Sequence, residues 1–486
     1  MSEINSTMEK PEGLARAISG PQFFAVAFGC IVGVAWIVVL GDLVGQAGPV
    51  GTALALALAA CAILLIAFCY AEMAARKPGA GGELVFAYGL AGPPAAYAAG
   101  WTLGLVYTAA SAFEAISMGQ LTALLFPTIE GPVLYSLLGQ DVRLGSVLIG
   151  GGLVIAIWVL NAVGARESAR VQAWITYARL GLMGGFLAVA LIYADPVNLQ
   201  PLIAGENGPA KLAAFLSVLA TAPFWFGGFN VVVTASEESA TSMAVMGRAL
   251  IWAVVAAAVF YIMLVLAVGA LVPQAQLVAM ELPAAQAFEV ALQSPLMTKL
   301  VLITAVLGNL TAWNSLVLAG SRIFFALGRA RLCPESLGQV NRHRAPGRAV
   351  ALVSLASLLA LPLGRGFILP LVNVTSACFG LVYLVTCLAL IRERRASPLA
   401  PEFSVPGGLV TIYAATAAAF LISAVAIIQP WFASGGEIPP EWITLGAWGT
   451  VALGIWVVGR GRFHTISEAE RSTLMQGATH KGADLP

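Results

Sequence analysis

The chain has 486 residues, of which 59% are hydrophobic and 10% are charged, and its net charge is +1. Soluble domains carry about 25% charged residues, so this composition excludes an ordinary soluble fold and predicts a polytopic membrane protein. The near-neutral charge also excludes the broad basic surface of a nucleic-acid-binding protein. All three histidines lie in polar segments, and the six cysteines contain no CxxC pair. We therefore expect no cofactor and no metal site.

Stretches with few charges, each about 20 residues or longer, recur along the whole chain. Allowing one embedded charge in each of two helices, the sequence predicts twelve transmembrane helices, numbered helix 1 to helix 12. Their predicted cores are residues 22–46, 51–75, 95–126, 145–164, 171–194, 212–236, 248–272, 296–327, 348–364, 366–391, 408–430 and 441–459. Residues 283–293 are expected to form a short interfacial helix before helix 8.

The distribution of lysine and arginine predicts the orientation of these helices. With twelve helices both termini share a side, and 20 of the 25 basic residues fall on that side. Four fall on the other side, and Arg179 lies within helix 5. The polar tails, residues 1–20 and 460–486, are thus predicted to be cytoplasmic in a multi-pass protein of the cell membrane. Residues 1–20 lack the pattern of a cleavable signal peptide.

Two of the predicted helices contain residues that weaken helical continuity. Helix 1 contains FGCIVGVAW, with Gly29 and Gly33, and helix 6 contains PFWFGGFN, with Pro223, Gly227 and Gly228. Small residues also serve close helix packing, which is the alternative interpretation. However, helices 1 and 6 are corresponding members of two five-helix halves, and breaks at matching places are typical of a transporter's midplane site. The free N–H groups of a broken helix suit an anion, and its free carbonyls suit a cation.

Five segments together resemble one family, the amino acid–polyamine–organocation (APC) superfamily of permeases. They are GCIVGVAWIV in helix 1, CYAEMAARKPGAGGELVFAY (69–88), NAVGARESARVQAWITYARL (161–180), FWFGGFNVVVTASEES (224–239) and GSRIFFALGRARLCPESLGQVNRHRAP (320–346). The resemblance implies an all-α, LeuT-type fold, with residues 21–194 and 212–391 as inverted five-helix repeats and helices 11 and 12 (408–459) at the periphery. It also implies alternating-access transport of amino acids, polyamines or related amines.

The resemblance further implies which residues bind the substrate. Its carboxylate would bind N–H groups around Gly33, Val34 and Ala35. Its ammonium would meet carbonyls near Gly29 and Cys30 and near Phe224, Trp225 and Gly227, and Trp225 or Phe226 would gate the site.

This chain departs from the family pattern at three positions in helices 1 and 6. Ala35 replaces a glycine, and Trp36, assigned to the gate, replaces an isoleucine. Both make the pocket floor bulkier, which favours a smaller substrate or an amine without a carboxylate. Asn230 stands where an acidic residue is frequent.

Arg179 lies about eight residues, or about 12 Å, into helix 5. In similar permeases a lysine here replaces a sodium ion between helices 1, 5 and 8. Because arginine does not titrate in practice, Arg179 is predicted to act as a fixed cation that makes transport independent of sodium. The alternative is an arginine that snorkels from a helix end.

Glu114 is the other embedded charge, just outward of the middle of helix 3. Tyr107, Ser111, Glu114 and Ser117 recur at helical spacing and so share one face. Glu114 could carry a proton or pair with an amine of the substrate, and Ser111 is predicted to line the same site. The alternative is a protonated carboxyl group bonded to a neighbouring helix.

Further polar residues have two interpretations each. Five charged residues near the cytoplasmic helix ends form either an inner gate network or solvated ion pairs: Glu72, Glu83, Glu237, Glu238 and Arg322. Asp42 is assigned to the outer vestibule. The polar residues of helix 8 either face the substrate site or form hydrogen bonds between helices. They are Thr304, Asn309, Thr311, Asn314 and Ser315.

The sequence therefore predicts a secondary transporter for an amino acid or small organic amine, driven by a proton gradient or by exchange. Its expected partners are that substrate, the lipid bilayer and protons. A membrane-embedded enzyme would need a catalytic constellation at depth, and the four aspartates and three histidines do not supply one. A channel would show a pore-lining repeat or charged ring, which is not found. A transporter-like sensor or a subunit that needs a partner stays open.

Overall fold

The computed structural model describes residues 16–474 except positions 80, 138–139, 164, 281, 398, 435–436, 464–466, 468–469 and 472–473. Residues 1–15 and 475–486 of the predicted cytoplasmic tails lie outside this part. Within the described residues, nine helices are long and apolar enough to cross a membrane: Gly20–Val38, Pro49–Arg76, Leu144–Val163, Ala169–Tyr193, Met243–Leu271, Leu296–Arg329, Arg365–Ala396, Gly408–Phe432 and Pro440–Gly459. The prediction of a helical, polytopic membrane protein is confirmed.

The full helical elements around these spans match the predicted segments closely. Helices 2, 4, 5 and 7 are Pro49–Arg76, Leu144–Val163, Ala165–Tyr193 and Met243–Leu271. Helices 8, 10, 11 and 12 are Pro295–Arg329, Ile368–Ala396, Gly408–Ala433 and Pro440–Phe463. Two short helices, Gln274–Ala279 and Pro283–Leu292, connect helices 7 and 8, and the second occupies the place predicted for a short helix.

The remaining predicted spans are helical but irregular. Helix 3 extends over Glu83–Leu125, with non-helical backbone at Ala91 and Gly92 directly before two prolines. Proline disfavours the helical conformation in the residue before it, which places the kink there. Helix 6 is divided into Gly208–Ala220, Ala222–Trp225 and Val231–Thr234, and helix 9 is Gly347–Ala360 followed by a 3-10 turn, Leu361–Leu363. The count of twelve spans stays a prediction.

The sequence analysis did not predict any strand, but the structure contains a hairpin between helices 3 and 4. Strand β1, Val133–Leu137, pairs antiparallel with β2, Gln140–Arg143. Short 3-10 turns complete the connections, at Pro127–Ile129, Pro196–Leu199, Ser236–Glu238, Glu335–Gly338 and Arg365–Phe367.

The surface of the bundle is apolar, whereas several charged side chains lie inside it. Trp174 and Val458 are 76% and 83% exposed. By contrast, Glu83, Arg179 and Arg322 are fully buried. This arrangement suits a bundle whose surroundings are hydrocarbon, because a charge facing lipid is costly.

The helices pack in a regular set of pairs. Helix 2 packs on helix 7, helix 3 on helices 4, 8 and 10, and helix 8 on helices 5 and 9. Helix 1 packs on helices 5, 7 and 8, and the Ala222–Trp225 segment of helix 6 packs on helix 10. Helix 12 attaches to helix 3 through Trp101 and Trp448, whose rings stack at 4.8 Å and whose indole N–H groups each donate to the other's carbonyl.

Candidate functional site

The interruptions of helices 1 and 6 meet in the middle of the bundle. Helix 1 is divided into Gly20–Ile31, Ala35–Val38 and Leu40–Ala47. In helix 6, Gly228 has φ +104°, and a Cβ there would lie 2.6 Å from the Cys30 sulfur. Glycine is thus required at Gly228 both by the backbone conformation and by the close approach of helix 1.

Each interrupted helix also has a glycine where a second helix crosses it. A Cβ at Gly29 would lie 2.3 Å from Gln172 of helix 5, and a Cβ at Gly227 would lie 2.4 Å from Phe379 of helix 10. The two interpretations of these glycines, close packing and helix interruption, therefore apply together.

The interruptions expose backbone groups of both kinds. The N–H groups of Gly33, Val34 and Ala35 make no backbone hydrogen bond among the described residues. In the same part of the structure, the carbonyls of Trp225, Phe226 and Gly227 accept none. The first set can bind an anion and the second can bind a cation.

A cavity of about 20 Å³ lies where the two interruptions meet. Space of this size holds about one water molecule, so the cavity must widen to admit an amino acid. The lining residues are Cys30, Ile31, Gly33, Ala35, Ala110, Glu114, Phe224, Trp225, Gly227, Tyr261, Leu316 and Phe379.

Most of the residues predicted to contact substrate line this cavity, but four do not. Gly29 contacts helix 5, and Val34 is buried in the bend of helix 1. Phe226 packs edge-on against Tyr261. The Ser111 hydroxyl lies 2.7 Å from both the Trp313 indole nitrogen and the Ser357 hydroxyl, so it faces helices 8 and 9.

The sequence analysis missed three large residues of the lining, Tyr261, Leu316 and Phe379. They come from helices 7, 8 and 10, and each lies within an apolar run where nothing distinguishes it from its neighbours. Tyr261 also donates a hydrogen bond of 2.6 Å to the carbonyl of Ile31, the last residue before the interruption of helix 1.

Glu114 is the one ionisable carboxyl group among the described lining residues. It is 5% exposed, and its Oε1 lies 2.6 Å from the position that a Cβ of Gly33 would take. Its Oε2 has no hydrogen-bond partner among the described residues. The carboxyl group therefore lies directly against the helix 1 interruption, ready to accept hydrogen bonds from a bound molecule.

Arg179 is fully buried between helices 1, 5 and 8. Its Nη1 donates to the Thr311 hydroxyl at 3.2 Å, and its guanidinium carbon lies 5.8 Å from the centre of the Phe28 ring. A Cβ at Gly308 would lie 2.4 Å from Nη1 and 2.9 Å from the Gly33 carbonyl oxygen. This depth does not fit an arginine that snorkels to the membrane surface.

Two ion pairs with little solvent exposure lie where helices 6 and 8 end. Arg322 contacts Glu238 through two hydrogen bonds, of 2.8 and 3.3 Å, and Arg329 contacts Glu237 at 3.2 Å. Backbone N–H groups of Ala17 and Ile18 donate to the Glu238 carbonyl, which joins the residues just before helix 1 to the same place.

Two other residues assigned to the gate lie elsewhere. Glu72 accepts hydrogen bonds from Arg76, Arg394 and the backbone of Val405, so it joins helix 2 to the end of helix 10. Trp36 is buried beyond the helix 1 interruption, with its ring edge-on to Phe260 of helix 7.

Comparison with known proteins identifies the group to which this chain is related. The model of the amino acid permease family matches residues 18–456. The chain belongs to this family. The branched-chain amino acid permease BcaP of Bacillus subtilis is 27% identical over 407 residues, which are 82% of this chain and 85% of that protein.

Two further relatives from Bacillus subtilis are similar over comparable lengths. The methylthioribose transporter is 25% identical over 83% of this chain and 87% of its own length. The amino-acid permease RocE is 22% identical over 74% of this chain and 75% of its own length. The family and these relatives are permeases and transporters, not enzymes, and they identify this protein as an amino acid transporter of the membrane.

Proposed function

We propose that this protein is a secondary transporter that moves a small aliphatic amino acid across the cell membrane by alternating access. The observation that carries the proposal is the cavity between two interrupted helices, beside which the N–H groups of residues 33–35 and the carbonyls of residues 225–227 make no backbone hydrogen bond among the described residues. Such a site can be exposed to one side of a membrane at a time when the surrounding helices move.

The packing of the helices supports two inverted repeats of five helices each. In such a fold, contacts between helices in one half have counterparts five helices further on. Helix 1 packs on helix 5 as helix 6 packs on helix 10, and helix 3 packs on helix 4 as helix 8 packs on helix 9. The contact of helix 3 with helix 10 likewise corresponds to that of helix 8 with helix 5.

The lining indicates the chemistry of the substrate. Phe224, Trp225, Leu316 and Phe379 offer an apolar and aromatic surface for an alkyl side chain. The substrate ammonium would bind between the carbonyls of residues 225–227 and the Glu114 carboxylate, and the substrate carboxylate would bind the N–H groups of residues 33–35. Branched-chain amino acids, named for one relative, fit this description.

A second substrate class is an amine without a carboxylate. The position of Glu114 Oε1 beside Gly33 favours it, because an ionised Glu114 would repel a carboxylate bound to the same N–H groups.

A thermal-shift comparison of leucine with 3-methylbutylamine, its decarboxylated counterpart, tests both classes on purified protein. A ligand at a hundred times its Kd stabilises the folded state by about 2.7 kcal/mol. We expect leucine to raise the melting temperature. A shift with the amine alone would identify the second class, and no shift with either would contradict this substrate assignment.

The role of Glu114 is tested by the Glu114→Gln variant. Removing a charged hydrogen-bond partner of the ammonium costs about 1.5–3 kcal/mol, so we expect the Kd for leucine to rise about tenfold or more. Wild-type uptake by this variant at every pH tested would contradict both the ammonium-binding role and a proton-carrying role.

Transport by the purified protein alone separates this proposal from its alternatives. Leucine uptake into vesicles that contain only this chain would exclude a sensor and a partner-dependent subunit. Adding a proton gradient or internal leucine in the same assay distinguishes proton coupling from exchange.

A further inference from the structure

A second carboxyl group, Glu83, is fully buried at the start of helix 3. Its Oε1 accepts a hydrogen bond of 2.6 Å from the Asn230 side chain of helix 6. Its Oε2 makes no hydrogen bond of normal geometry among the described residues. In the same part of the structure, no arginine, lysine or histidine forms an ion pair with it.

The groups that face Glu83 from the neighbouring helices are hydroxyl and amide groups. Tyr70 of helix 2, Tyr107 of helix 3 and Tyr383 of helix 10 lie close enough to interact with it electrostatically. The two arginines of helix 8, Arg322 and Arg329, form ion pairs with Glu238 and Glu237 in the turn after helix 6. A helix N-terminus supplies only a partial positive charge. Because an ionised carboxylate without a cation is costly to bury, this environment suits the neutral acid.

Asn230 connects Glu83 directly to the helix 6 interruption. Its Nδ2 also contacts the Tyr107 hydroxyl at 2.8 Å, and its Oδ1 accepts a hydrogen bond of 3.2 Å from the Gly228 N–H. A change of charge on Glu83 would therefore alter the hydrogen bonds of Asn230, including the one from the backbone of Gly228 beside the substrate cavity.

The segment before Glu83 is fastened to the inner part of helix 6. The Gly79 N–H donates to the Ser236 hydroxyl at 2.9 Å, and a Cβ at Gly82 would lie 3.1 Å from the Thr234 methyl group. Separating this segment from helix 6 would admit water to Glu83, and a hydrated carboxyl group ionises far more readily than a buried one.

We propose that Glu83 is a proton-binding site that regulates the inner opening, protonated while the inner side is closed and ionised when it is open. On opening, the O–H bond of the acid breaks and its proton passes to cytoplasmic water, and on closing the carboxylate takes a proton back from the same side. Cytoplasmic acid therefore holds the inner side closed, and alkaline cytoplasm favours opening. The proposal rests on the transport function proposed above and on the orientation predicted from the distribution of lysine and arginine.

The transport test uses the full chain in vesicles, with leucine exchange measured at fixed external pH and varied internal pH. Wild-type exchange should slow as the internal pH falls. Glu83→Gln keeps the hydrogen bond to Asn230 but is permanently neutral, so its exchange should stay at the slow acid level at every internal pH. The control Glu335→Gln makes the same change at a side chain 61% exposed and should keep the wild-type response. A Glu83→Gln variant that responds to internal pH as the wild type does would overturn the proposal.

An infrared measurement keeps the proposal testable without any substrate. The carbonyl stretch of a protonated carboxylic acid should be present in the wild-type spectrum and weaker in that of Glu83→Gln. A spectrum of Glu83→Gln identical to that of the wild type would overturn the proposal, whatever the transport assays show. Failure of the wild type to exchange leucine, with this infrared loss observed, would instead contradict the substrate assignment alone.

Discussion

At Gly33, helices 1, 3 and 8 approach one another closely beside the cavity. A Cβ there would lie 2.6 Å from Glu114 Oε1 and 2.9 Å from the Cβ of Ala312. Neither distance is compatible with ordinary packing, and the Ala312 contact cannot be relieved by rotating a side chain. One methyl group at this position should therefore displace Glu114 and part the helices.

We expect Gly33→Ala to lose leucine binding, measured as the loss of the ligand-induced thermal shift. Gly152→Ala is the matched control, because a Cβ at that position on helix 4 meets nothing within 4 Å. Alanine is favoured over glycine inside a helix by about 0.5–1 kcal/mol, so the control should bind normally and melt no lower than the wild type. Normal leucine binding by Gly33→Ala would show that the tight contact plays no part in the site.

Arg179 provides a second prediction at this scale. A fixed guanidinium between helices 1, 5 and 8 leaves no need for a sodium ion there, so replacing sodium by potassium should not change wild-type uptake. Arg179→Ala should lose uptake, and Arg179→Lys, which keeps a positive charge, should retain part of it. Uptake by Arg179→Ala that stays intact and sodium-independent would contradict the role of a cation mimic.

Single charges in apolar runs could be predicted from the sequence, and both Glu114 and Arg179 are buried in the structure. The partners of uncharged residues could not. Ser111 was expected to face the cavity, but two of its neighbours on helices 8 and 9 bind its hydroxyl. Helical spacing gives the side of a helix, whereas the rotation of that helix against its neighbours is set by packing.

At the scale of helices, the sequence located both interruptions because glycine and proline weaken helical hydrogen bonding. It did not predict that helix 3 begins at Glu83. The kink at Ala91 and Gly92, directly before two prolines, resembles a helix boundary in the sequence. Because helix 3 begins early, Glu83 lies in the protein interior. The sequence analysis had instead placed it among groups at cytoplasmic helix ends.

The Glu238–Arg322 pair gives the prediction at this scale. Both side chains are at most 2% exposed, and removing one partner of a buried pair costs about 3–5 kcal/mol because the other charge stays buried. Glu238→Gln and Arg322→Gln should each lower the melting temperature and the free energy of unfolding. The double variant should lose much less unfolding free energy than the sum of the two single losses.

The pair of Arg331 and Glu335, at 3.3 Å and with side chains 33% and 61% exposed, is the matched control for this double-mutant cycle. Surface pairs contribute about 0–1 kcal/mol, so its coupling energy should be small. Equal coupling energies for the two pairs would contradict the assignment of Glu238 and Arg322 to a buried closing contact.

At the scale of the whole molecule, composition alone was enough to predict a helical membrane protein, because no soluble surface could cover so many apolar residues. The hairpin of β1 and β2 could not be predicted, since its short strands pair outside the helical bundle. The orientation came from the charge bias of the loops and is open to a direct test.

We expect a cysteine introduced at the exposed hairpin residue Ser136 to react with a membrane-impermeant maleimide in intact cells. A cysteine in place of Glu335 should react only after permeabilisation, because helix 8 ends on the opposite side. Five of the six native cysteines are buried, and Cys61 lies in helix 2, so background labelling should be low. Labelling of both positions from the same side would contradict the number of spans between them.

A cell membrane must maintain its ion gradients while its transporters change conformation. A transporter with a continuous water-filled path would let protons and ions leak across the membrane. The cavity between the two interruptions has room for about one water molecule, too few for the connected file of waters along which protons hop. The empty protein should therefore insulate as well as the surrounding lipid. Vesicles that contain it, without substrate, are expected to hold a proton gradient as long as protein-free vesicles do.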